Sequence, residues 1–160
     1  MNDIAIAIDK LDRTGLEKVS AELLQRGLNA GQISIVEKYL GVKGSNEEIL
    51  AGLNSLIGNT ESGKQGIDEL KYLLENLQPP FAKASAGKHP TFNIQLDPTL
   101  ARGLNYYTGT IFEVKAKGVS MGSIGGGGRY DDLTGLFGVP CIPGVGISFG
   151  VDRIYDVMEE

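Results

Sequence analysis

The sequence predicts an α+β protein, a small helical bundle followed by an antiparallel sheet with helices. Three observations point there. Apolar residues recur at helical spacing through residues 1–80. After residue 90 the period changes to strict alternation. Glycine, 23 of 160 residues, is about twice its usual share and crowds into the second half.

The helices follow in order. Thr14 with Glu17 reads as a capping box, in which a hydroxyl covers the free amides of the first turn and a carboxylate reaches back. Leu16, Val19, Leu23 and Leu24 then share a face, and Gly27 is a stop. Ile33, Val36, Tyr39 and Leu40 predict a second helix ended by Gly41. Ser45 with Glu48 is another capping box, opening a helix with Ile49, Leu50, Leu53, Leu56 and Ile57 inward and Gly58 as its stop. Ile67, Leu70, Leu73, Leu74 and Leu77 mark a fourth helix, which Pro79 and Pro80 forbid from continuing. Residues 81–90 are small, polar and irregular, a linker between a helical domain (1–80) and a second one (91–160). Beyond it, Phe92, Ile94 and Leu96 alternate, as do Ile111, Glu113 and Lys115 against Thr110, Phe112 and Val114. Each run predicts a strand with one buried face. Residues 119–124 are a third strand candidate, "RYDDLTGLFG" a short helix, "PGVGISFG" a buried strand, and "VDRIYDVMEE" the start of a helix.

Composition narrows the function. The formal net charge of −5 argues against broad electrostatic binding of nucleic acid, so the main basic surface for any RNA contact is expected elsewhere. A single cysteine excludes an internal disulfide, and with a single histidine a Cys/His zinc site is not expected; no protein-bound metal is predicted. Cys141 reads as a small buried residue, and His89, in the linker, as solvent-facing rather than catalytic. No apolar run reaches the roughly 18 residues of a membrane span, and the N-terminus lacks the pattern of a signal peptide. A cytoplasmic protein without a membrane partner is expected.

The run "GGGGRYDD" at 125–132 raises the central question. It is not a nucleotide P-loop, because no Gly-x-x-x-x-Gly-Lys-Ser/Thr occurs. It is not a dinucleotide fingerprint either: Tyr130 stands where Gly125-x-Gly127 needs a third glycine, and Gly150 comes one residue too late after Gly144-x-Gly146. Two readings remain. Glycine-rich strands before Arg129 and Arg153 floor a pocket for a flat ligand, since a missing β-carbon lets backbone approach closely; or the glycines only make β-turns. Arg129 and Asp131 likewise serve the pocket or merely pair at a helix start. Arg102, with Tyr106 and Tyr107, adds a guanidinium suited to phosphate and two orienting hydroxyls.

At these residues the chain resembles the histidyl-tRNA synthetases, a class II family. "ARGLNYYTGTIFEV" (101–114) resembles the family's Arg-Gly-Leu-Asp-Tyr-Tyr motif, "GGGGRYDDL" (125–133) its Gly-Gly-Arg-Tyr-Asp motif, and "GVGISFGVDRI" (144–154) class II motif 3. "AIAIDKLDRTGLEKV" resembles the lead into the family's helical insertion domain. The resemblance implies a partial class II synthetase-type antiparallel sheet. It also implies an internal fragment, the insertion domain plus the C-terminal part of the catalytic core, without motifs 1 and 2 or an anticodon-binding domain, and inactive by itself. For the parent it implies activation of histidine by ATP, with Mg²⁺ carried by the nucleotide, transfer of histidine to tRNA(His), and a homodimer. By the same resemblance Arg102 is catalytic and binds histidine together with Tyr106, Tyr107 and Tyr130, while Gly146, Gly150 and Arg153 contact ATP. Asn105 stands where the family usually has Asp, between intact Arg102 and Tyr106. The competing expectations are a synthetase-like regulatory subunit of ATP phosphoribosyltransferase, which binds without charging tRNA, and a plain helical interaction module with a stabilising sheet.

Overall fold

A computed structural model describes residues 2–77, 94–102 and 107–160. The linker, Pro79, Pro80, His89, Phe92 and Tyr106 lie outside the described residues. The chain forms two compact units, Lys10–Thr99 and Met1–Asp9 with Leu100–Glu160.

The first unit is helical. After α1 (Asn2–Ile8), which goes with the other unit, come α2 (Leu11–Thr14), α3 (Leu16–Gln25), α4 (Ala30–Leu40), α5 (Asn46–Ile57) and α6 (Glu61–Asn76). Each packs on its neighbour in sequence. The core is Val19 and Leu23 of α3, Ile33 and Leu40 of α4, Ile49 and Leu53 of α5, and Ile67 of α6, all buried. Each such side chain stabilises the unit by about 1.5–3 kcal/mol. The buried stripe of α3 is narrower than the spacing predicts, because Leu16 and Leu24 are exposed.

Helix ends show where sequence signals compete. Gly27 ends α3 as expected, at φ 93°, with its N–H donating to Leu24 O and that of Leu28 to Leu23 O. The left-handed backbone turns the chain so that both orphan carbonyls are satisfied. At α5 the capping box is complete: Glu48 N donates to Ser45 Oγ at 3.2 Å and Ser45 N to Glu48 Oε2 at 2.8 Å. Ser45→Ala is therefore expected to destabilise the helical unit by about 1 kcal/mol, read from the urea midpoint of the chain; an unchanged midpoint would show that the cap is dispensable. The predicted box of Thr14 and Glu17 does not form. Thr14 belongs to α2 and donates its hydroxyl to Lys10 O at 3.0 Å, while Gly15, at φ 80°, leads into α3 without a side-chain cap. A capping hydroxyl needs extended backbone, and Thr14 is helical. The box that sequence reasoning missed is at α4, where Asn29 and Gln32 cap reciprocally.

Residues 94–97 are not a strand, contrary to the alternation. Their backbone is paired instead by a side chain: Asn46 Nδ2 donates to Ile94 O at 3.0 Å, and Leu96 N donates to Asn46 Oδ1 at 2.8 Å. One amide group does here what a neighbouring strand would do.

The second unit holds an antiparallel sheet, β1 (Ile111–Val114), β2 (Gly125–Tyr130) and β3 (Gly144–Phe149), in that spatial order. A 3₁₀ turn (Leu133–Phe137) links β2 to β3, and α7 (Val151–Glu159) follows Gly150. The fold class is thus α+β, with the glycine run as the central strand. The predicted strand over 119–124 is absent; pairing starts in earnest at Gly125, and Ile124 adds only single bonds to Val114 and Gly150. The third strand is not buried, since Val145, Ile147 and Phe149 are 54–69% exposed. Cys141 is exposed too, at φ 63° between two prolines, where its N–H donates to Asp132 Oδ1 at 2.7 Å.

Candidate functional site

Register assigns the sheet's two faces, because directly opposed residues point the same way. Glu113 opposes Gly126, which opposes Ser148; Ile111 opposes Gly128, which opposes Gly146; Tyr130 opposes Gly144. One face is therefore nearly bare of side chains along β2 and β3. The other carries Phe112, Val114, Val145, Ile147 and Phe149.

Two larger groups from outside the strands, and one from the end of β2, lie across the bare face. A β-carbon on Gly126 would fall on Arg102 Nη2, and one on Gly128 would stand 2.7 Å from the Tyr107 ring. One on Gly144 would meet the Tyr130 ring at 2.6 Å. So Arg102 and Tyr107, from one segment, and Tyr130, from the end of β2, share a glycine floor, with Gly146 beside them. Arg102 is fixed by an ion pair, Nη2 to Glu113 Oε1 at 3.1 Å, and Lys115 Nζ lies 3.8 Å from the other carboxylate oxygen.

Arg153 has a different post. Its Nη1 donates to Ser123 O at 2.6 Å, tying the first turn of α7 to the segment before β2. Gly150 also touches that segment, its N–H donating to Ile124 O at 2.8 Å.

Arg129 faces away from the floor and pairs with Asp131 at 3.0 Å. Asp131 Oδ2 also accepts from Thr108 Oγ1 at 2.7 Å. The Thr108 hydrogen bond, seconded by Arg129, holds the Asp131 carboxyl below the usual aspartate range. With Thr108 N donating to Arg129 O at 3.0 Å, this pins the segment carrying Tyr107 to the end of β2.

Two residues were missed from sequence, Glu113 and Thr108. Glu113 left a signal: a carboxylate in a short strand otherwise made of Ile111, Phe112 and Val114, where charge is costly unless paired. Thr108 left none. Among the described residues no cluster of His, Cys, Asp or Glu could hold a metal ion, and no helix is long and apolar enough to cross a membrane. Chemically, a bare backbone floor with a braced guanidinium and two aromatic rings suits a planar, anionic ligand.

A family model described as histidyl-tRNA synthetase matches residues 2–154. The chain is 48% identical over 158 residues to the histidine–tRNA ligases of Bacteroides fragilis and Porphyromonas gingivalis, covering 99% of this chain and 33% of each relative. It thus spans about a third of the length of these curated relatives. A crystal structure of histidyl-tRNA synthetase from Nostoc sp. PCC 7120 superposes with a TM-score of 0.78 at 33% identity, covering 99% of this chain and 36% of that one. A structure titled ATP phosphoribosyltransferase regulatory subunit/histidyl-tRNA synthetase, from Bacillus halodurans, superposes at 0.67 over 92% of this chain and 36% of that one, with 24% identity, a likeness of fold alone.

Proposed function

This chain belongs to the histidyl-tRNA synthetase family, and from that premise we propose that it supplies one part of the catalytic machinery of a histidine–tRNA ligase. In this reading residues 1–80 are the insertion domain, 81–90 the linker and 91–160 the C-terminal part of the catalytic core. The observation that carries it is Arg102, braced by Glu113 above side-chain-free Gly126.

The first reaction joins histidine to ATP. A carboxylate oxygen of histidine attacks the α-phosphorus, an O–P bond forms, the bond to the bridging oxygen breaks, and pyrophosphate leaves with its Mg²⁺. Negative charge grows at phosphorus in the transition state, and Arg102 stabilises it, a task that rewards a donor already in place. Tyr107 and Tyr130, with Tyr106, wall the histidine; Gly146, Gly150 and Arg153 take the ATP side. Arg153 releases or shares the Ser123 carbonyl to do so. In the second reaction the terminal ribose of tRNA(His) attacks the carbonyl carbon and AMP leaves. The enzyme works in the cytoplasm as a homodimer.

The test grafts this chain in place of the matching third of the Bacteroides fragilis ligase. Histidine-dependent ATP–pyrophosphate exchange is expected at about 1 s⁻¹ or above, and none from the 160 residues alone. A folded graft that binds histidine without exchange would overturn the catalytic reading and favour a regulatory one.

A further inference from the structure

We propose that Glu113 is the positioning residue for Arg102: it sets the guanidinium in its working orientation and does not itself touch substrate. For its catalytic consequence this rests on the ligase reading; for its geometry it does not.

Among the described residues, Glu113 is the charged partner that Arg102 has. Residues 100–102 are in neither helix nor strand, so the backbone does not aim the side chain. Arginine has many rotamers, and holding one against that entropy requires a partner. Glu113 is that partner on a rigid element. Its Cα is locked opposite Gly126 in the β1–β2 ladder, and its side chain is only 18% exposed. From there Oε1 reaches Nη2 at 3.1 Å. Gly126 completes the seat from beneath, since any β-carbon there would fall on the same nitrogen. One carboxylate oxygen thus occupies one nitrogen of a planar group that carries five N–H donors, and the fork retains donors for an anion.

Stability does not account for this arrangement. Arg102 is 31% exposed, and an ion pair so accessible adds little to folding. Nor is the carboxylate there to compete with the ligand, because Lys115 Nζ, 3.8 Å from Oε2, offsets part of its charge. Its effect is on orientation, and misplacing a transition-state donor by about 1 Å costs on the order of 10²-fold in rate.

Two variants separate the roles. Glu113→Val keeps a strand-forming residue but no acceptor; Glu113→Gln keeps an acceptor at the same reach without the charge. The first readout uses the 160-residue chain without any ligand. In ¹⁵N spectra of the arginine side chains, rotation of the Arg102 guanidinium is expected to be slow in the native chain, fast in Glu113→Val and intermediate in Glu113→Gln. The same spectra report whether the sheet is intact. The second readout is exchange in the grafted ligase: kcat about 10²-fold lower in Glu113→Val, histidine KM nearly unchanged, and part of the loss recovered in Glu113→Gln. Unaltered Arg102 rotation in a folded Glu113→Val chain overturns the proposal, as does unchanged or faster exchange in a graft whose native form is active. A native graft without exchange, beside the expected change in rotation, sinks the ligase reading and leaves the positioning role standing.

Discussion

Gly127→Ala is expected to break the central strand from its neighbour, whereas Gly126→Ala, one residue away, should leave the fold intact. The difference lies in what a β-carbon meets. At 127 it would press into Gly146 O and stand 2.7 Å from Phe112 Cζ. The carbonyl is backbone inside the β2–β3 ladder, where Gly127 opposes Ile147 and Gly128 opposes Gly146. It can move only if that register opens. At 126 the first obstacle is the tip of Arg102, which can swing away, and the next is Phe112 O at 3.2 Å. Alanine also stiffens the unfolded chain, a gain of about 0.4–1 kcal/mol at either site. Overpacking at 127 outweighs it, at about 1–3 kcal/mol or more, because no flexible neighbour absorbs the added atom. Urea unfolding followed by far-ultraviolet circular dichroism should show Gly127→Ala with a lowered midpoint and weakened strand signal, and Gly126→Ala near native. Equal midpoints would mean that the β2–β3 approach is looser than the geometry has it.

The same glycines mark how far the sequence could be read. Helices with a contrasted apolar stripe, α3 to α6, were legible because the side chains that specify them also build the core. The central strand was legible only as glycine-rich, since four residues without side chains cannot alternate, and the strand was sought in the apolar residues just before it. Position 94–97 failed for the opposite reason: its alternation is genuine, but an asparagine side chain supplies the backbone partner, and no local pattern encodes that. The buried reading of β3 took a period-two run as two covered faces, yet Val145, Ile147 and Phe149 fall on one face, opposite Gly144, Gly146 and Ser148. At the site, Arg102 and Tyr107 stood out by residue type beside a glycine-rich stretch, whereas Tyr130 was named as a site residue only through the family resemblance. Their sharing of a floor came from register, which pairs residues across the connections 115–124, between β1 and β2, and 131–143, between β2 and β3.

Arg102→Ala, in the grafted ligase, is expected to lower histidine-dependent pyrophosphate exchange by about 10²–10³-fold while leaving the sheet folded. The folding half follows from the local accounts. Arg102 lies outside the strands, is partly exposed, and leaves behind a carboxylate that still has Lys115 within 3.8 Å. The loss of one accessible ion pair costs about 0–1 kcal/mol. The catalytic half follows from timing. In the proposed ligase role, a guanidinium already seated on Gly126 would meet the charge that develops at phosphorus without reorganising, so its removal would raise the barrier more than it weakens ground-state binding, and kcat should fall more than KM rises. Arg102→Lys should rescue little, because an ammonium on a flexible stem keeps the charge but loses the planar fork that Glu113 orients. Arg102→His should fare no better, lacking both reach and a fixed charge at neutral pH. Near-normal exchange in Arg102→Ala would refute the role of Arg102 outright. Full rescue by lysine would reduce that role to charge alone, and with it the need for Glu113 to hold the group in one orientation.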